Sequence, residues 1–78
     1  MDREEILVDD QRMYALTKDK AGHLFLEVVT GGMAMETLVL PLDEVEEKSY
    51  SELGKPFLDN LALDVCRETS EYRKRVLD

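Results

Sequence analysis

Seventy-eight residues carry 18 Asp and Glu against 10 Lys and Arg, a formal net charge of −8, in a chain that is 44% hydrophobic. That length fits one small domain over residues 1–78, which would bury about 60% of its unfolded surface, and the apolar content is too high for a disordered acidic tail. The charge repels a phosphate backbone, so no nucleic-acid partner is expected. The acidity falls in two blocks: five carboxylates against Arg3 in residues 1–10, and five against Lys48 in residues 43–52. Cys66 is the single cysteine and cannot close an internal disulfide. The longest apolar run, Leu38 to Leu42, includes Pro41 and falls far short of the ~20 residues that cross a bilayer, so no membrane partner is expected either. The opening Met1-Asp2-Arg3-Glu4-Glu5 lacks the basic and apolar regions of a signal peptide, which makes a cytoplasmic location the expectation.

Along the chain, Ile6-Leu7-Val8 ahead of Asp9-Asp10 suggests a short edge strand. Three further strands are predicted from runs of β-branched, aromatic and leucine residues: Arg12 to Thr17, His23 to Thr30 and Met35 to Leu40. Lys18-Asp19-Lys20-Ala21-Gly22 reads as a polar loop between the first two, and Gly31-Gly32 as the turn of a hairpin. A two-residue turn there would set Glu27 opposite Glu36, a destabilising like-charge pair. A three-residue loop ending at Met33 avoids it, pairing Leu26 with Leu38 and Leu24 with Leu40 on one face, and Phe25 with Val39 and Val29 with Met35 on the other. Both faces of the sheet are then largely apolar, although an antiparallel sheet needs only one such face.

After Pro41 the pattern becomes helical. Asp43 and Glu46 form an Asp version of a capping box before a short acidic helix from about Glu44, Gly54 supplies a stop, and Pro56 suits the first turn of a second helix running to about Val76. At 100° per residue Phe57, Leu58, Leu61, Ala62, Val65, Tyr72 and Val76 share one stripe, while Leu63 projects to the far side. The expected fold class is α+β: a three- or four-stranded antiparallel meander followed by a short helix and a longer C-terminal helix packed on one sheet face. Tyr14, Leu16, Leu24, Leu26, Leu38 and Leu40 should meet Phe57, Leu61, Val65 and Tyr72.

The residues offer little chemistry. Cys66 on the edge of the stripe reads as a small half-buried core residue, and nothing in its spacing to His23, the only histidine, makes a nucleophile and base pair. Asp43, Glu44, Glu46 and Glu47 lack the glycine and alternating spacing of a calcium loop and read as a solvated first helical turn. Arg73-Lys74-Arg75 is too short for a nucleic-acid patch and sits where cations offset a helix dipole. No catalytic residue, metal site or cofactor is therefore assigned.

Two non-enzymatic functions fit the pattern. In the first, the chain self-associates or meets a protein partner through Phe25, Val29, Met35 and Val39 on the second sheet face, with Leu63 as a further exposed apolar contact. Alternatively the N-terminal segment, or the short helix with Val45, Tyr50 and Leu53, covers that face from within. In the second, Asp9, Asp10, Asp43, Glu44, Glu46 and Glu47 form an acidic surface that masks a basic partner, in the manner of an inhibitor, antitoxin or immunity protein.

Overall fold

A computed structural model describes residues 3–30 and 36–77. Four strands, β1 (Glu4–Asp9), β2 (Tyr14–Lys18), β3 (Leu24–Thr30) and β4 (Glu36–Pro41), are followed by α1 (Glu44–Leu53), α2 (Lys55–Arg67) and the single turn α3 (Thr69–Tyr72). The strands form an antiparallel meander in the order β1-β2-β3-β4. The architecture is α+β, as expected, and the edge strand suggested by Ile6-Leu7-Val8 is a full member of the sheet. Its pairing is broken once, where Glu5 faces Thr17 and Leu7 faces Leu16, leaving Ile6 as a bulge.

Local chemistry sets the strand ends. Arg12 does not begin β2, because its backbone N–H donates to Asp9 Oδ1 at 3.0 Å and Met13 takes a left-handed φ of 60°, folding the β1–β2 connection back. Asp19 organises the next loop, its Oδ1 accepting from the backbone N–H groups of Ala21 and His23 at 3.0 and 2.9 Å. Gly22 supplies the positive φ of 91° that this loop requires.

The second hairpin departs from the expected register by two residues. Leu26 faces Leu40, Val28 faces Leu38 and Thr30 faces Glu36, and Leu42 continues the ladder by donating its N–H to the Leu24 carbonyl at 3.0 Å. The expected pairing would have set Val28 opposite Glu36. The observed one aligns Leu26 with Leu40 and Val28 with Leu38 on the inward face and sets Glu36 opposite Thr30 at the strand end, within reach of Arg73. A shift of two preserves which face each side chain occupies, so the assignment of faces survives the correction. The connecting residues Gly31, Gly32, Met33 and Met35 lie outside the described residues.

The core lies between one sheet face and α2. Tyr14, Leu16, Leu26, Val28, Leu38, Leu40 and Leu42 meet Leu58, Leu61, Ala62 and Val65, with Leu24, Phe57, Tyr72 and Val76 packed at the margin. Both halves of the capping box are present at α1: Asp43 Oδ1 accepts from the Glu46 N–H at 2.8 Å, and Glu46 Oε1 accepts from the Asp43 N–H at 3.0 Å. Gly54, at φ 74°, ends α1 and starts α2, with Pro56 in the first turn. The predicted single helix to Val76 is interrupted at Glu68. There Thr69 Oγ1 donates to the carbonyls of Val65 and Cys66, which a continuing helix would pair with later N–H groups.

Candidate interaction surface

Alternation along the strands gives the sheet two unlike faces. The inward positions of β2, β3 and β4 are sealed against α2, while the opposite face presents Ala15, Phe25, Glu27, Val29, Thr37 and Val39, all half-buried except the exposed Thr37. The side chains that α1 and α2 send into the core all meet the first face. Within α1, Val45 is 73% exposed and Leu53 63%, and only Tyr50 packs against the core, so this helix does not cover the second face.

Arg3 covers one end of the open face. Its guanidinium carbon stands 5.1 Å from the centre of the Phe25 ring and its Nε lies 3.4 Å from Glu27 Oε2. Glu27 Oε2 also accepts from Thr17 Oγ1 at 3.1 Å, which explains a buried threonine on a face that no helix covers. The other end is bare. Val8, Met13, Ala15, Glu27, Val29 and Thr37 line a shallow hollow of about 300 Å³, with Val8 49% exposed and the left-handed Met13 at its rim.

Of the expected contact residues, Phe25, Val29 and Val39 share this face, and Met35 lies outside the described residues. Leu63 does not join them. It is exposed on the outer side of α2 beside Phe57, Asn60, Asp64 and Arg67, because α2 turns its Leu58, Leu61 and Val65 side towards the sheet.

Most of the expected acidic surface is committed within the chain. Asp9 and Asp59 bracket Lys55, whose Nζ reaches Asp9 Oδ2 at 2.7 Å and Asp59 Oδ1 at 3.0 Å. The Arg12 Nε lies 3.5 Å from each of the two carboxylates. Tyr14 donates its hydroxyl to Asp59 Oδ1 at 2.5 Å. The Lys55 ammonium and then the backbone N–H of Arg12 hold the Asp9 carboxyl below its ordinary range, and the Tyr14 hydroxyl followed by Lys55 does the same to Asp59. Burial, reinforced by the Asp59 carboxylate, raises the Tyr14 phenol to about 12. Asp43 caps α1, Glu46 pairs with Arg75, and Glu47 Oε2 accepts from the Leu24 N–H at 3.2 Å. Asp10 and Glu44 are exposed.

Cys66 differs from expectation in being exposed rather than half-buried. The inward side of α2 centres on Leu58, Leu61 and Val65, so the next position faces the β1–β2 turn near Gln11 and Arg12. His23 stands beside Asp19 in the β2–β3 loop, at the other end of the meander, so the two residues do not form a pair. Among the described residues no group of three or more His, Cys, Asp or Glu side chains converges as a metal site, and no helix is long and apolar enough to cross a membrane.

Sequence reasoning missed the role of the basic cluster. Arg73 grips Glu36 through its two terminal guanidinium nitrogens, Nη1 donating to Oε2 and Nη2 to Oε1. Arg75 donates to Glu46 Oε2 and Oε1 at 3.1 and 2.6 Å and to the Pro41 carbonyl at 3.2 Å. These partners are separated by about 30 to 40 residues in sequence, where no local spacing rule applies. Comparison with protein-family models, curated proteins and solved structures finds no match.

Proposed function

We propose that this protein is a non-enzymatic interaction module that self-associates through the open face of its sheet, by surface complementarity rather than chemistry. The observation that carries the reading is the bare end of that face, where Val8, Met13, Ala15 and Val29 line a hollow rimmed by Asp9, Asp10 and Glu27, while every core-packing helix residue lies on the other side. A soluble small domain needs only one apolar sheet face to fold, so a second one invites a partner surface. An acidic mask for a basic partner is less favoured, because Asp9, Asp43, Glu46 and Glu47 already serve contacts within the chain.

Sedimentation velocity at micromolar concentration tests the proposal. The unaltered chain is expected to sediment as a dimer, and Val29→Lys, which sets a charge at the hollow without touching the core, is expected to return it to monomer with an unchanged thermal melt. A clean monomer of the unaltered chain across that range would end the self-association reading.

A further inference from the structure

The sheet has two edge strands, and the chain closes one of them itself. At β4 the Leu77 N–H donates to the Val39 carbonyl at 2.8 Å and forms an isolated antiparallel bridge with that residue. β1 stands at the other end of the sheet. Among the described residues no backbone hydrogen bond outside the β1–β2 ladder involves Glu4 to Asp9. An edge strand turns the N–H and C=O groups of alternate residues away from its single neighbour, so this side of β1 presents unpaired donors and acceptors to another strand.

The side chains along β1 define what kind of strand fits there. The register with β2 sets Glu5 and Val8 on the open face, opposite Thr17 and Ala15, and Glu4 and Leu7 on the helix-covered face, opposite Lys18 and Leu16. Val8 is 49% exposed, Ile6 in the bulge is 44% exposed, and Leu7 packs at the margin of the core. Glu4 and Glu5 are exposed, and among the described residues neither side chain enters an ion pair or hydrogen bond. Asp9 at the far end is held by Lys55. The strand therefore runs from two uncommitted carboxylates to an apolar pair.

A second copy fits this edge poorly. Antiparallel pairing of β1 with itself along its full length sets Glu4 opposite Asp9 twice, and parallel pairing in register sets Glu4 beside Glu4 and Glu5 beside Glu5. Like charges so placed destabilise a ladder. Bulges and charges are devices by which edge strands avoid their own kind, and carboxylates in that role leave the edge open to cations.

We propose that the β1 edge receives an extended basic segment of a protein partner as a further antiparallel strand, with apolar β-branched residues beside Leu7 and Val8 and two cationic residues beside Glu4 and Glu5. Backbone hydrogen bonds to β1 hold the segment, while the two carboxylates select it and set its direction. This differs from masking of a basic surface, because it reads the backbone of one strand and uses Glu4 and Glu5 rather than carboxylates committed within the chain. It also stands apart from self-association through the open face.

Titration of the acetylated, amidated peptide Thr-Val-Val-Thr-Lys-Arg into the isotope-labelled chain, followed by amide NMR, tests the proposal. Saturable shifts and slowed hydrogen exchange are expected within Glu4 to Asp9, alike in the unaltered chain and in Val29→Lys. Two N-methylated forms of the peptide, blocked at alternate residues in opposite phase, carry the sharpest contrast. One phase removes the N–H groups that face β1 and is expected to lose binding, whereas the other leaves them and is expected to bind as before. Glu4→Lys with Glu5→Lys should weaken the basic peptide about tenfold or more and bind Thr-Val-Val-Thr-Glu-Glu in its place, which also shows that the variant is folded. Absence of shifts at about 1 mM peptide, binding that both N-methyl phases spare or both abolish, or binding lost in Val29→Lys would overturn the proposal. An affinity unmoved by the Glu4 and Glu5 changes would overturn it equally.

Discussion

Tyr14 shows how one side chain can serve two roles. Its ring is buried in the core, at 3% exposure, while its hydroxyl reaches out to Asp59 and joins the Lys55, Asp9 and Arg12 cluster that ties α2 to the β1–β2 turn. The phenol titrates near 12 in the folded chain against 10 ordinarily, so the folded state holds that proton more tightly. Its contribution to stability is complete below about pH 10 and is lost as pH rises towards 12. Tyr72 behaves alike, its phenol raised to about 12 by the hydrogen bond to Asp64 and then by burial, and Lys55 is raised by Asp9 and Asp59. Urea midpoints should therefore fall between about pH 10 and 12, and Tyr14→Phe should reduce that fall without abolishing it. On the acid side the sign reverses. Asp9 and Asp59 titrate below their ordinary range, so their contribution is present above about pH 4 and is lost as pH drops. Lys55→Met should shrink the acid loss, because Asp9 then loses its main partner and Asp59 keeps only Tyr14 and Arg12.

Among the elements, α2 decides stability and its two sides differ sharply. Leu26 on β3 is fully buried against the helix layer, whereas Leu63 on α2 is 53% exposed. Leu26→Ala should cost on the order of 2–5 kcal/mol, enough to unfold much of a domain this small. Leu63→Ala should stay within about 0.5 kcal/mol of the unaltered chain. Chemical denaturation of the two variants checks both figures, and a near-normal midpoint for Leu26→Ala would contradict the packing described. This contrast was legible in the sequence, because 100° periodicity separates Leu63 from Leu58, Leu61 and Val65. The break at Glu68 was not. The stripe continues through Tyr72 and Val76, and the carbonyl contacts of Thr69 depend on a rotamer that periodicity does not encode.

For the whole molecule, the net charge of −8 gives the two functional readings opposite salt responses. Two copies with like net charge repel, and the hollow they would share sets Val8, Met13, Ala15 and Val29 beside the carboxylates Asp9, Asp10 and Glu27, so screening should strengthen self-association. Masking of a basic partner would weaken instead. Sedimentation of the unaltered chain in about 0.05 and 0.5 M salt is expected to show tighter association in the higher salt, and loosening there would contradict an apolar interface.

The sequence by itself determined the strand and helix order, the face each strand residue occupies, the capping box at Asp43 and Glu46, and the side of α2 that is buried. All of these follow from periodicities of two and 3.6 residues and from rules acting over three or four residues. Only the tertiary structure decided the rest. The hairpin register was set by aligning Val28 with Leu38 and Leu26 with Leu40 rather than by the shortest turn that separates Glu27 from Glu36. Leu63 was parted from Phe25, Val29 and Val39 because a helix and a sheet packed as layers send their outer faces in opposite directions. Of the acidic residues expected to form one surface, Asp43 became a helix cap, Glu47 a support for the Leu24 N–H, and Asp9 and Glu46 partners of Lys55 and Arg75, leaving Asp10 and Glu44 exposed. Charge pairing across 30 or more residues is fixed by where packed elements bring side chains, and no local pattern carries that information.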